Sequence, residues 1–148
     1  MTISVAEEVN ASRERIWGLI TNPDAWTDMI SGIISVDVID RPQQGVIGLK
    51  WREKRLMFGK EAEETMWVIA AEPMHWYETR AENHGMIYTT RMSIDEVGDK
   101  TVLSMTFSAA ATTFAAKLMS LLAFLFNGAL RKALKQDLMD IRQTAETV

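Results

Sequence analysis

The sequence contains no cysteine, only two histidines and only three prolines in 148 residues. Without cysteine, disulfides and thiolate metal sites are excluded. Two lone histidines with no acidic partner at ligand spacing make no metal motif, and no Ser-His-Asp set can be assembled around them. No glycine-rich phosphate loop occurs. Basic charge is scarce too: a net charge of −4 with mixed signs argues against nucleic acid as the main partner, because binding phosphates requires a basic face. The charge-free stretch 118–130 covers about 13 residues, whereas a bilayer span takes about 20, so no transmembrane segment is expected. The opening "MTISVAEEVNASRERIW" lacks a basic segment followed by an apolar one. No signal peptide is therefore expected, and the expected location is cytoplasmic.

What the chain does have is the make-up of one ordinary domain, expected over residues 1–148. It is 47% hydrophobic and 24% charged, and long enough to bury a core. "TISVAEEV" alternates in polarity and reads as a strand. Ser12 can cap a short helix carrying Ile16, Trp17, Leu19 and Ile20; Asn22 and Pro23 then start a second one presenting Trp26 and Met29. "IISVDVID", "VIGLKWREKRLMF", "EAEETMWVIAAEP", "HWYETRAE", "MIYTTRMSID" and "TVLSMTFSAA" follow as six strands at short spacing, which predicts an antiparallel meander. From about 113 to 147 there is no proline and one glycine, Gly128, and this segment reads as one long helix. The class is α+β, with a seven-stranded sheet that needs the long helix as its cover.

At 100° per residue, Leu130, Leu134, Leu138, Ile141 and Ala145 form one apolar stripe that faces the sheet. Carried backwards, the stripe meets Asn127, Ala123, Ser120 and Ala116, flanked by Met119 and Phe126. Small or polar residues opposite a curved sheet leave a gap where a packed interior needs bulk. Either that gap is a ligand pocket, or Trp51, Trp67 and Tyr88 fill it. A bend at Gly128 would disturb this phase. On the opposite face Leu118, Leu121, Leu122 and Leu125, joined by Phe114, form an apolar patch. A second copy of the chain, a transient membrane contact or a neighbouring loop would each cover it.

Strand alternation sorts the pocket wall. Leu49, Trp51, Glu53, Arg55 and Met57 share one face; so do Met86, Tyr88, Thr90, Met92 and Ile94, and Leu103, Met105, Phe107 and Ala109. In "EETMWVIA" two sets compete, and the set with Trp67 is taken as inner. Ten methionines suit a wall that adapts to irregular apolar guests, although for any single one at strand spacing a plain core role is the favoured reading. The expected ligand-binding set is Trp51, Glu53, Trp67, Tyr88, Thr90, Met92, Met105, Phe107, Met119, Ser120, Ala123 and Asn127. No catalytic cluster stands out. Glu53 is either a general base or, the favoured reading, the partner of Arg55 or another cation, since a buried unpaired carboxylate is costly. Tyr88 either donates to a ligand carbonyl or bonds backbone as a core tyrosine. No metal or cofactor is expected.

The layout resembles the START-like helix-grip superfamily, and within it the polyketide cyclase/dehydrase and lipid-transport group (SRPBCC). The resemblance runs through "VNASRERIWGLITNPDAW", where many members carry proline in place of Arg13. It continues through "GVIGLKWREKR", "EETMWVIAAEP", "GDKTVLSMTF" and the final "LRKALKQDLMDIRQTAE", covering nearly the whole chain. It implies a sheet wrapped around the long helix with a cavity between them, and it carries over no shared catalytic residue. The function it implies is binding of a small hydrophobic molecule (a lipid, polyketide-like or aromatic) as carrier or sensor. The alternative is a cyclase or dehydratase acting in the same cavity.

Overall fold

The computed structural model describes residues 1–123 and 126–147, the side chains of 121–123 excepted. Strand β1 (Thr2–Val9) leads into α1 (Arg13–Ile20), whose N-terminus is capped by the Ser12 hydroxyl accepting from the Arg15 N–H at 3.1 Å. The Asn22 side chain accepts from the Asp24 N–H and opens a 3₁₀ turn, Pro23–Ala25, that runs straight into α2 (Trp26–Met29). The meander follows: β2 (Ile33–Asp40), β3 (Lys50–Met57), β4 (Lys60–Glu72), β5 (Trp76–Asn83), β6 (Met86–Val97) and β7 (Lys100–Ala111). All pairings are antiparallel, in the order β1-β7-β6-β5-β4-β3-β2.

Turn chemistry sets the registers. Met57 pairs with Lys60 around Phe58-Gly59, and Asn83 pairs with Met86 around His84-Gly85; both central residues of each loop have positive φ, as two-residue hairpins of the primed kind require. The sheet bends where the ladder slips, between Ile33 and Ser35 and between Val38 and Asp40 of β2, and between Val68 and Ala70 of β4. Such bulges tighten the local twist and curve a sheet.

The expected single helix is two. α3 (Phe114–Ala123) and α4 (Asn127–Glu146) are separated around Phe126, whose backbone leaves the helical region at φ −100° and ψ 4°. Gly128, where a bend would have disturbed that phase, lies inside the first turn of α4. The interruption removes the continuous phase along which the stripe was carried backwards. α3 instead starts on the β5–β6 hairpin: the Thr112 N–H donates to the Gly85 carbonyl at 2.7 Å, and a Cβ on Gly85 would stand only 3.2 Å from that of Ala116. α4 keeps its predicted stripe. Leu134, Leu138, Ile141 and Ala145 are buried and Leu130 packs partly against the same core. The helix lies along β1 and β7. Cations on its outer side hold β1: Arg131 donates to the Ser4 carbonyl at 2.8 Å, Lys135 to the Ala6 carbonyl, and Lys135 and Arg142 pair with Glu7.

Candidate functional site

A cavity of about 390 Å³ lies between the concave face of the sheet and α4. One end is closed by α2. Trp26 meets Trp51 edge to face at 4.9 Å, and the indole N–H of Trp26 donates to the Leu19 carbonyl. The β5 contribution starts at Tyr77, buried, with its hydroxyl donating to the Ile20 carbonyl at 2.7 Å. Burial, and secondarily the Glu53 charge, raise the pKa of this phenol. Its proton is thus fixed and its bond belongs to the fold. Farther along, Tyr88 stacks on Phe107 at 5.8 Å, with Thr90, Met92 and Met105 completing that wall. Leu134 and Ile141 of α4 form the roof.

A linked group of charges, with Glu64 apart from it, sits in this apolar shell. Arg55 donates from Nε to Glu53 and from Nη1 to Asp137 of α4, both at 2.9 Å, and the Trp51 indole donates to the other Glu53 oxygen at 3.3 Å. Glu53 and Asp137 are both buried. Burial pushes the Asp137 carboxyl up to about 6 against the pull of Arg55, with Glu53 and Asp140 adding to the rise. Burial works against the Arg55 charge, yet Asp137 and Glu53 hold its pKa above the ordinary value. The group bridges α4 to β3 across the cavity.

Seven of the expected ligand-binding residues are brought together on the cavity wall: Trp51, Glu53, Tyr88, Thr90, Met92, Met105 and Phe107. Trp67 is not. It pairs across the strands with Lys50 and Arg80 on the outer face, and the Lys50 ammonium lies 5.9 Å from its ring centre. The inner residues of β4 are Glu64, Met66 and Val68, followed after the slip by Ala71. That slip breaks the alternation in the very segment where two sets competed, and the stems of two long cations give an outward tryptophan its cover. Met119 is 66% exposed, and the half-buried Ser120 turns its hydroxyl back onto the Lys117 carbonyl. Asn127 is half-buried at the start of α4 but does not line the cavity. The Ala123 side chain lies outside the described residues. Met119, Ser120 and Ala123 belong to α3 and lost the phase of the stripe at the interruption around Phe126, whereas Asn127 stays in phase on α4 but sits at its first position, beyond the cavity.

Of the expected leucine patch, Leu118 is exposed, as are Phe114 and Met119 beside it; Leu121, Leu122 and Leu125 lie outside the described side chains. Among the described residues no helix is long and apolar enough to cross a membrane, and no cluster of three or more His, Asp or Glu is arranged to hold a metal ion.

Sequence reasoning missed Tyr77, Thr79, Glu64 and Met29, all on the cavity wall, and above all Asp137. The signal for Asp137 was present: it lies three residues after Leu134 and four before Ile141, the one charge on the apolar stripe.

A curved antiparallel sheet gripping a C-terminal helix over an apolar cavity defines a helix-grip protein. The chain belongs to the polyketide cyclase / dehydrase and lipid transport family, whose model matches residues 1–141. No curated protein matches it in sequence. Among solved structures, a Thermus thermophilus protein superposes with a TM-score of 0.79 at 14% identity, covering 98% of this chain and 97% of its own. The di-domain ARO/CYC protein BexL, from a biosynthetic pathway, gives 0.81 at 15% identity; all of this chain matches half of that one. A major latex-like protein of Panax ginseng gives 0.74 at 10% identity, covering 99% and 97%. At these identities the likeness is one of fold.

Proposed function

We propose that the protein binds one small hydrophobic molecule in the cavity between the sheet and α4, as a carrier or sensor. The observation that carries this reading is the cavity itself: about 390 Å³ walled by aromatic, thioether and aliphatic side chains around a few polar groups, the usual make-up of a small-molecule site. Glu53, the strongest candidate for a general base, is engaged by Arg55 and Trp51, which favours binding over chemistry.

Titration with the neutral dye N-phenylnaphthylamine tests the reading. Saturable binding with blue-shifted emission is expected, weakened on the order of ten-fold by Met105→Trp, which fills the cavity. Tryptophan at the exposed Val97, on the distant β6–β7 hairpin, leaves binding unchanged. Absence of dye binding by the native protein, or equal effects of the two variants, overturns the reading.

The second reading is cyclisation or dehydration in the same cavity. Tyr88 favours it, because burial and the neighbouring Glu64 raise its pKa and keep its hydroxyl a donor facing the cavity. Tyr88→Phe separates the two. A carrier loses no more than one hydrogen bond, about 1 kcal/mol of affinity; an enzyme loses about 10²-fold in turnover of an aromatic polyketide-type substrate.

A further inference from the structure

We infer that the cavity selects apolar molecules whose polar end is a protonated amine, or failing that a neutral hydroxyl, and rejects those ending in a carboxylate. This rests on the cavity being the ligand site.

Three carboxylates face the cavity, Glu53, Glu64 and Asp137, while Arg55 is the one cation on its wall among the described residues. Arg55 is already committed, to Glu53 and to Asp137 at 2.9 Å each. Glu64 is held by a neutral donor, the Asn83 amide at 3.1 Å. Glu53 and Glu64 are direct partners across β3 and β4, so their side chains rise from the same face of the sheet. Like charges placed opposite each other in this way destabilise a sheet. The wall therefore holds more negative charge than its own cation neutralises. Glu64 is half-buried and neighbours the exposed Ala62 on the lining, which puts the surplus towards the mouth.

A carboxylate entering this space meets Glu64 and Glu53 and finds the guanidinium already shared. In apolar surroundings that repulsion is poorly screened. An ammonium entering the same space gains charge-assisted bonds to Glu64. The aromatic faces of Trp51, Tyr88 and Phe107 attract a cation as well. A hydroxyl donates to the same oxygens without the Coulombic gain.

Displacement of N-phenylnaphthylamine by dodecylamine, dodecanol and dodecanoate, at neutral pH and below micelle formation, tests the inference on one common chain. The amine is expected to displace the dye at the lowest concentration and the carboxylate at the highest, on the order of ten-fold apart. Glu64→Gln narrows that gap, and the wild-type ranking decides the matter alone if the variant does not fold. Dodecanoate competing as well as dodecylamine, or a gap untouched by Glu64→Gln, overturns the selectivity while leaving the cavity a ligand site. If the native protein takes up neither the dye nor any of the three compounds, the ligand-site reading itself falls, and the selectivity with it.

Discussion

α4 is fastened to the sheet on both sides by ions, and the two fastenings differ in kind. Towards β1, Lys135 and Arg142 reach Glu7 near the surface, and the hydrogen bond from Lys135, with help from Arg142, lowers the Glu7 pKa. Towards β3, Arg55 holds Asp137 and Glu53 inside the cavity wall, and burial raises the Asp137 pKa to about 6. The first is a stabilising contact in which a largely covered carboxylate meets two cations that stay part-exposed. In the second, desolvation outweighs attraction for the carboxylate, so its charge is held at a cost. A protein gains little stability from such a group. The cost falls on the wall of the cavity.

Removing one partner of the inner group gives the largest expected effect. Arg55→Met strands two carboxylates and should lower unfolding free energy by about 3–5 kcal/mol, read as a shift of the urea midpoint at neutral pH. Combining it with Glu53→Gln and Asp137→Asn should recover most of that loss; a triple variant no better than Arg55→Met would mean that Arg55 acts through packing instead. Between the two fastenings sits Leu138, 0% exposed, and Leu138→Ala should cost about 2–5 kcal/mol by opening a void in the stripe.

The pH dependences should have opposite signs. Asp137, with its folded pKa raised from 3.8 to about 6, contributes stability that is fully present below 3.8 and lost as pH rises through about 6. Wild type should therefore lose stability relative to Asp137→Asn across that window. Glu7, with its folded pKa lowered from 4.5, contributes stability present above 4.5 and lost as pH falls through the folded value. Parallel urea series for the two variants would show the slopes crossing, and parallel slopes would erase the distinction. The smallest effect is that of Glu7→Gln at neutral pH, about 1 kcal/mol, because the two cations that lose their partner are part-exposed and solvent screens them.

Most of the architecture was legible in residue order because strand alternation and turn chemistry are local. Gly59 and Gly85 fall between the strand segments, and Ser12 and Asn22 mark the helix starts. The β3, β6 and β7 walls came out in the right phase for the same reason. β4 did not, because the slip between Val68 and Ala70 shifts the phase midway and only pairing with β5 reveals it. The interruption before Asn127 was hidden for a different reason. Residues 118–126 are nearly all apolar or small, so no polar side marks how that stretch is turned, and no proline announces a stop. Asp137 was readable on the stripe, but its partner Arg55 lies 82 residues away, and nothing local joins them.

The cations that reach β1 have a consequence for how these molecules meet one another. β1 is the last strand of the sheet on its side, and the Ser4 and Ala6 carbonyls that Arg131 and Lys135 occupy are ones that an incoming strand would need. At the far side β2 is broken twice in register and carries the exposed Asp37 and Asp40. One border is plugged and the other is irregular and charged. Two folded copies brought together in a crowded solution find no continuous ladder to extend, and the native state offers a poor template for a growing fibre.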